Sequence, residues 1–88
     1  MTVIHLYAEN MADRNAMHDH LAQAFSFPRW YGRNLDALYD LLTDIDHPTT
    51  IRLHHCELLQ GYGLHLLKVM AQAAADNPSI WFVPVYGQ

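Results

Sequence analysis

A lone cysteine, Cys56, excludes an internal disulfide and fits a reducing compartment, so the cytoplasm is the expected location. Basic side chains are scarce as well. Five Lys and Arg stand against nine Asp and Glu, a net charge of -4 with histidine neutral. That balance repels nucleic-acid phosphates and makes a basic protein the more natural partner. Long apolar runs are missing, and the amino-terminal stretch MTVIHLYAEN carries no basic segment. Neither a signal peptide nor a membrane span is therefore read, and the mature chain is expected to begin at or near Met1. Repeats and low-complexity tracts are absent too. One domain over residues 1–88 is expected, too small for a deep substrate cavity, which places function on a surface.

What is present is organised by period. Val3-Ile4-His5-Leu6-Tyr7 reads as a first strand buried on both faces. Met17, Leu21, Ala24 and Phe25 then recur at helical spacing behind Asp13 or Asn15 as a cap, and Pro28 closes the pattern, predicting a helix near 14–25. Asn34 is placed to cap a second helix whose Leu35, Leu38 and Leu42 share a face. Thr49 to His54 is β-branched and alternating, a second strand. Leu64, Leu67, Met70, Ala71 and Ala74 repeat at helical spacing up to Asp76-Asn77-Pro78, and Ile80-Trp81-Phe82-Val83 is a third strand. Helical crossovers favour parallel pairing. The expected architecture is α/β, a three-stranded parallel sheet covered mainly on one face by three to four helices.

The segment PRWYGRNLDALYD, residues 28–40, concentrates the unusual chemistry. Asp36 and Asp40 lie four residues apart on one helix face, with Tyr39 between them and Asp44 one turn on. Like charges at this spacing oppose helix formation by a few tenths of a kcal/mol. The helix dipole accounts for Asp36 in the first turn but does little for Asp40. The cluster reads either as a solvated face or as an anionic patch meant to be buried by a partner. Trp30, Tyr31 and Tyr39 bear on that choice, because aromatic rings are enriched at the centres of protein interfaces. For Tyr31, core packing is the other reading.

The run Tyr31-Gly32-x-Asn34-Leu35-Asp36-Ala37-Leu38-aromatic-Asp40 resembles the barstar family of ribonuclease inhibitors. The likeness extends loosely along the whole chain, with a shorter segment between Cys56 and Gly63. It implies a three-stranded parallel sheet with helices, a cytoplasmic protein that acts by binding and not by catalysis, and a basic extracellular-type ribonuclease as partner. No nucleic acid, membrane or cofactor is implied, and the free chain is expected to be a monomer. The resemblance places Asp40 where an RNA phosphate sits among the enzyme's cations and pairs Asp36 with another basic group. Trp30 and Tyr39 fall at the rim and Asn34 lies within the matched motif, while Asp44, which has no match in that motif, is counted with the binding face as a neighbouring acid. Two positions depart from the family pattern: Arg33 and Gln72 stand where the archetype has acids, which weakens the anionic face. Restoring an acid by Arg33→Glu is expected to speed association. A regulatory protein docking on the same helix is the alternative partner.

The seven histidines offer no metal spacing. His18 and His20 point to different helix faces, His54 and His55 are expected to face opposite ways on an extended strand, and the histidines are expected to be exposed or loosely packed. Cys56 has no evident base beside it, and Asp36 with Asp40 lacks the enclosing pocket that separates the pKa values of an acid–base pair. Neither a metal ion nor a catalytic residue is expected.

Overall fold

The computed structural model describes residues 1–87; Gln88, the last residue of the expected domain, lies outside them. Strand β1 (Thr2–Tyr7) leads through a 3-10 turn at Ala8–Asn10 to helix α1 (Arg14–Phe25). Helix α2 (Leu35–Thr43) and strand β2 (Thr49–His54) follow. A second 3-10 turn, Cys56–Leu58, precedes helix α3 (Tyr62–Asp76) and strand β3 (Ile80–Pro84). The sheet is parallel throughout in the order β1-β2-β3, with Thr2 opposite Thr49 and Thr49 opposite Ile80.

The sheet is two-sided. Leu6, Ile51, Leu53 and Ile80 are buried under the helices, together with Met17, Leu21, Leu38, Leu42, Leu66 and Met70. Val3, His5, Tyr7 and Trp81 emerge on the other face and remain exposed. The expectation that β1 is buried on both faces is therefore corrected. Its apolar run is continuous only because Val3 and Tyr7 are tolerated on an open face, where β-branched and aromatic residues still suit the pleat. On that face the facing nitrogens His5 Nδ1 and His54 Nε2 lie 3.0 Å apart.

Local chemistry fixes the helix ends. Asp13 accepts from the Ala16 amide at 2.8 Å to cap α1, and Ser26 ends it in the left-handed region at φ 57°. Asn34 caps α2 by accepting from the Ala37 amide at 2.7 Å. At the far end of α2 the buried Asn77 donates to Leu42 O at 3.0 Å, which also accepts from the Ile45 amide at 3.3 Å, and to Ile45 O, just beyond the helix, at 2.9 Å. The chain enters α3 through Gly61 at φ 57° and ψ -123°, a combination open to glycine alone. The buried stripe of α3 is Leu66, Met70 and Ala73, while Leu64 from the predicted repeat is 50% exposed. That stripe is rotated because α3 packs against α2 as well as the sheet. Among the described residues no helix is long and apolar enough to cross a membrane.

Candidate functional site

The segment between α1 and α2 is a compact, aromatic-anchored loop. Phe25 and Phe27 stack at 5.1 Å, and Phe27 meets Tyr31 at 4.8 Å between ring centroids. The Tyr31 amide donates to Pro28 O at 3.0 Å, closing the turn. Tyr31 itself is buried, so core packing was the correct reading for it. Its neighbour Trp30 is 75% exposed. Next, Gly32 is a tight place for a side chain, where neighbours would have to give by a few tenths of an ångström. A Cβ there would sit 3.2 Å from Ala37 Cβ and 3.3 Å from Asn34 Nδ2, against the first turn of α2.

Arg33 adopts φ 55°, a left-handed backbone that costs a non-glycine residue about 1 kcal/mol or more. Its guanidinium contacts offset part of that cost. It lies 2.8 Å from the Asp19 carboxylate and donates to Asn15 Oδ1 at 2.7 Å and Asn15 O at 3.1 Å. The cation that seemed to dilute the anionic face is thus committed to α1.

Asp36 and Asp40 are exposed on α2, and neither takes part in an ion pair among the described residues. Asp44 is the C-cap of α2, on the rim of an open cleft of about 390 Å³ walled by Phe25, Phe27, Leu41 and Ile45. The eight-residue step from Asp36 to Asp44 spans about 12 Å at 1.5 Å per residue, so Asp44 stands apart from the first-turn acid. The cleft is open to solvent.

Tyr39 and Gln72 meet through a residue that sequence reasoning passed over. The Tyr39 hydroxyl donates to Asp76 Oδ2, and Gln72 Nε2 lies 3.2 Å from both oxygens of the same carboxylate. These donors hold the Asp76 carboxyl below its ordinary pKa, and the hydrogen bond to Asp76 together with the charges of Asp76 and Asp40 raises that of the Tyr39 phenol. The loss of an acid at Gln72 is therefore accompanied by an acid one turn later on α3. Its signal was the i, i+4 spacing of Gln72 and Asp76, read only as a helix end.

The histidines required the largest correction. His18 is 1% exposed, with Nδ1 2.6 Å from the Tyr31 hydroxyl and Nε2 3.0 Å from the Tyr62 hydroxyl. His20 accepts from the Tyr7 amide at 2.9 Å. His55 does not continue the strand: it turns the chain out of β2 at φ 65° and faces Glu9 at 4.0 Å. Cys56 is buried and donates to Leu53 O at 3.2 Å, and burial pushes its thiol pKa up. Among the described residues no group of three or more His, Cys, Asp or Glu could hold a metal ion. What the arrangement offers is a firmly held loop and an acidic, partly aromatic helix face.

A family model described as barstar (barnase inhibitor) matches residues 1–83. A Bacillus subtilis (strain 168) protein named "Putative ribonuclease inhibitor YrdF" is 42% identical over 65 residues, covering 68% of this chain and 71% of that protein. With the parallel three-stranded sheet, the capped α2 and the motif from Tyr31 to Asp40 already in place, these matches show that the chain belongs to the barstar family.

Proposed function

We propose that this chain inhibits a basic, barnase-like ribonuclease by laying α2 and the loop before it over the enzyme's active site. The carrying observation is that Asp36 and Asp40 stand exposed on α2 without an intramolecular ion pair among the described residues, while Trp30 in the preceding loop is exposed as well. Their like charges cost the free helix a little, and a cationic cleft would supply what the chain does not. In this reading Asp40 takes the place of an RNA phosphate, Asp36 pairs with a second cation, and Trp30, Asn34, Tyr39 and Gln72 surround them. Arg33 supports the loop from behind, and Asp44 is a rim charge. The chain acts as a monomer, as a cytoplasmic immunity protein in a toxin–antitoxin pairing, and carries out no catalysis. Family membership and the relative's name support the inhibitor class.

The test is inhibition at stoichiometric amounts. The purified chain should abolish RNA cleavage by barnase or by a ribonuclease captured from the native lysate, at one chain per enzyme, with no nuclease or peptidase activity of its own. Capture of a partner without ribonuclease activity, together with no effect on barnase, would establish the regulatory docking role instead.

A further inference from the structure

A buried histidine with both ring nitrogens engaged is an unusual core residue, because a leucine would fill the space without polar obligations. His18 joins three separate pieces of the fold. It belongs to α1, Tyr31 to the loop, and Tyr62 is the first residue of α3. The two hydroxyls sit at opposite edges of one ring, 2.6 Å from Nδ1 and 3.0 Å from Nε2. In a neutral imidazole one nitrogen donates and the other accepts, so one phenol must accept and the other donate. This exchange gives both ring nitrogens a partner, and no buried side-chain nitrogen or oxygen among the described residues lacks one.

The loop side of this arrangement holds exposed surface in place. Tyr31 lies between Trp30 and the Gly32-Arg33-Asn34 turn into α2, and the same helix α1 grips that turn again through Asn15 and Asp19 on Arg33. One end of the loop is thus tied to α1 through a titratable ring and the other through an ion pair. We propose that His18 is a positioning residue for the partner-binding loop, holding Tyr31 and through it Trp30 and the approach to Asn34, so that protonation of its ring loosens the loop and speeds partner release.

The chemistry of protonation gives the direction. An imidazolium donates from both nitrogens, so the phenol that had been donating must accept instead and turn its own proton away from the ring, which breaks the donor–acceptor alternation joining the three pieces. The charges around the ring resist a further cation. Arg14 lies over the Tyr62 ring with its guanidinium carbon 5.0 Å from the centroid, and Arg33 is in the loop. Only Asp19 opposes them, and it is already paired with Arg33. Burial first, and then Arg33 and Arg14, hold the His18 pKa below its ordinary value. Stability from the neutral ring is therefore complete above about pH 6.5 and is lost as pH falls through the lowered folded value.

The partner arm of this proposal rests on the ribonuclease-inhibitor reading, and the loop arm rests on geometry alone. Two measurements on the full chain separate them, each from pH 7.5 to 5: amide hydrogen exchange across residues 29–35 of the free protein, corrected for intrinsic rates, and the dissociation rate from barnase. The unaltered chain should show faster loop exchange at acid pH and dissociation about tenfold faster. His18→Gln keeps a donor and an acceptor without a titrating group, and should flatten both profiles. His18→Leu should loosen the loop at every pH. Tyr31→Phe, which keeps the ring and loses the hydroxyl, should raise dissociation by a factor that does not multiply with that of His18→Leu. Undiminished pH dependence in His18→Gln, or a His18→Leu chain with lowered overall stability and unchanged loop exchange, would overturn the assignment. If the unaltered chain fails to bind barnase, the choice of ribonuclease falls and loop exchange alone decides.

Discussion

The Arg33 guanidinium and the Asp19 carboxylate stand 2.8 Å apart, joining the loop before α2 to the helix before it. Both side chains are substantially exposed, so the pair adds under about 1 kcal/mol to stability. It also ties the left-handed turn at Arg33 to α1. The expectation that Arg33→Glu would simply speed association therefore becomes a divided one. The added negative charge should raise the association rate at low salt, while two carboxylates brought together at positions 19 and 33 should loosen the loop and raise the dissociation rate. Surface plasmon resonance at two salt concentrations resolves the two rates, and an unchanged dissociation rate would remove the support role of Arg33.

Asp40→Ala should separate affinity from stability. It relieves repulsion on α2 and breaks no ion pair among the described residues, so thermal unfolding of the free chain should be unchanged or slightly raised. Binding to the ribonuclease should weaken by roughly 2–5 kcal/mol, because cations of the enzyme would be left buried without a partner. This rank for the position draws on the family, since barstar is itself the standard example of such an acidic hot spot. Asp44→Ala at the helix end should cost under about 1 kcal/mol. Equal losses for the two variants would sink the ranking.

Tyr39→Phe tests the bridge between α2 and α3. Removing the hydroxyl takes away the largest influence holding the Asp76 carboxyl low, so its titration should move up toward its ordinary value. The sign follows from linkage. A carboxyl lowered in the folded state contributes stability above its unfolded value of 3.8 and loses it as pH falls through the folded one, so Tyr39→Phe should lessen the acid sensitivity of unfolding. Carbon-detected NMR titration of Asp76 follows the change directly, and an unmoved midpoint would refute the bridge.

Association with a cationic enzyme should be steered. The rate should fall as salt rises, most steeply below about 0.1 M ionic strength, while dissociation changes little. Stopped-flow mixing across that range checks it, and a flat association rate would remove electrostatic steering.

Asn77→Leu should destabilise the chain by about 1–3 kcal/mol, because the Ile45 carbonyl would lose its side-chain donor and the Leu42 carbonyl would keep only the 3.3 Å bond from the Ile45 amide. Chemical denaturation measures the loss. A change within about 0.5 kcal/mol would mean that other groups replace the donor.

Local patterns carried much of this structure into the sequence. The bounds of α1, the Asn34 cap and the second strand were legible because each depends on near neighbours: a period, a side-chain oxygen three residues from an amide, a run of β-branched residues. The barstar motif was legible because it is contiguous. What stayed hidden depends on distance along the chain. Nothing near His18 announces Tyr62, and Asp76 becomes part of the Tyr39 surroundings only once α3 lies against α2. The pairing of Arg33 with Asp19 likewise needs the loop to fold back on α1. The open face of β1 was missed for a different reason: an apolar run records what a strand tolerates, not which of its faces is covered.

The strand register also dictates the order in which the molecule can be assembled on the ribosome. Thr2 pairs with Thr49, so β1 leaves the exit tunnel with no strand to join until α1, α2 and β2 have all been made. Once β2 arrives, its second edge, carrying the core residues Ile51 and Leu53, stays uncovered until β3 follows α3. The sheet thus closes in two steps, β2 onto β1 and later β3 onto β2, both built on non-local parallel pairings, the slow and association-prone kind. Nascent chains stalled before Ile80 would present a central strand with one edge open, which makes the last helix and strand the point at which a chaperone has most to protect.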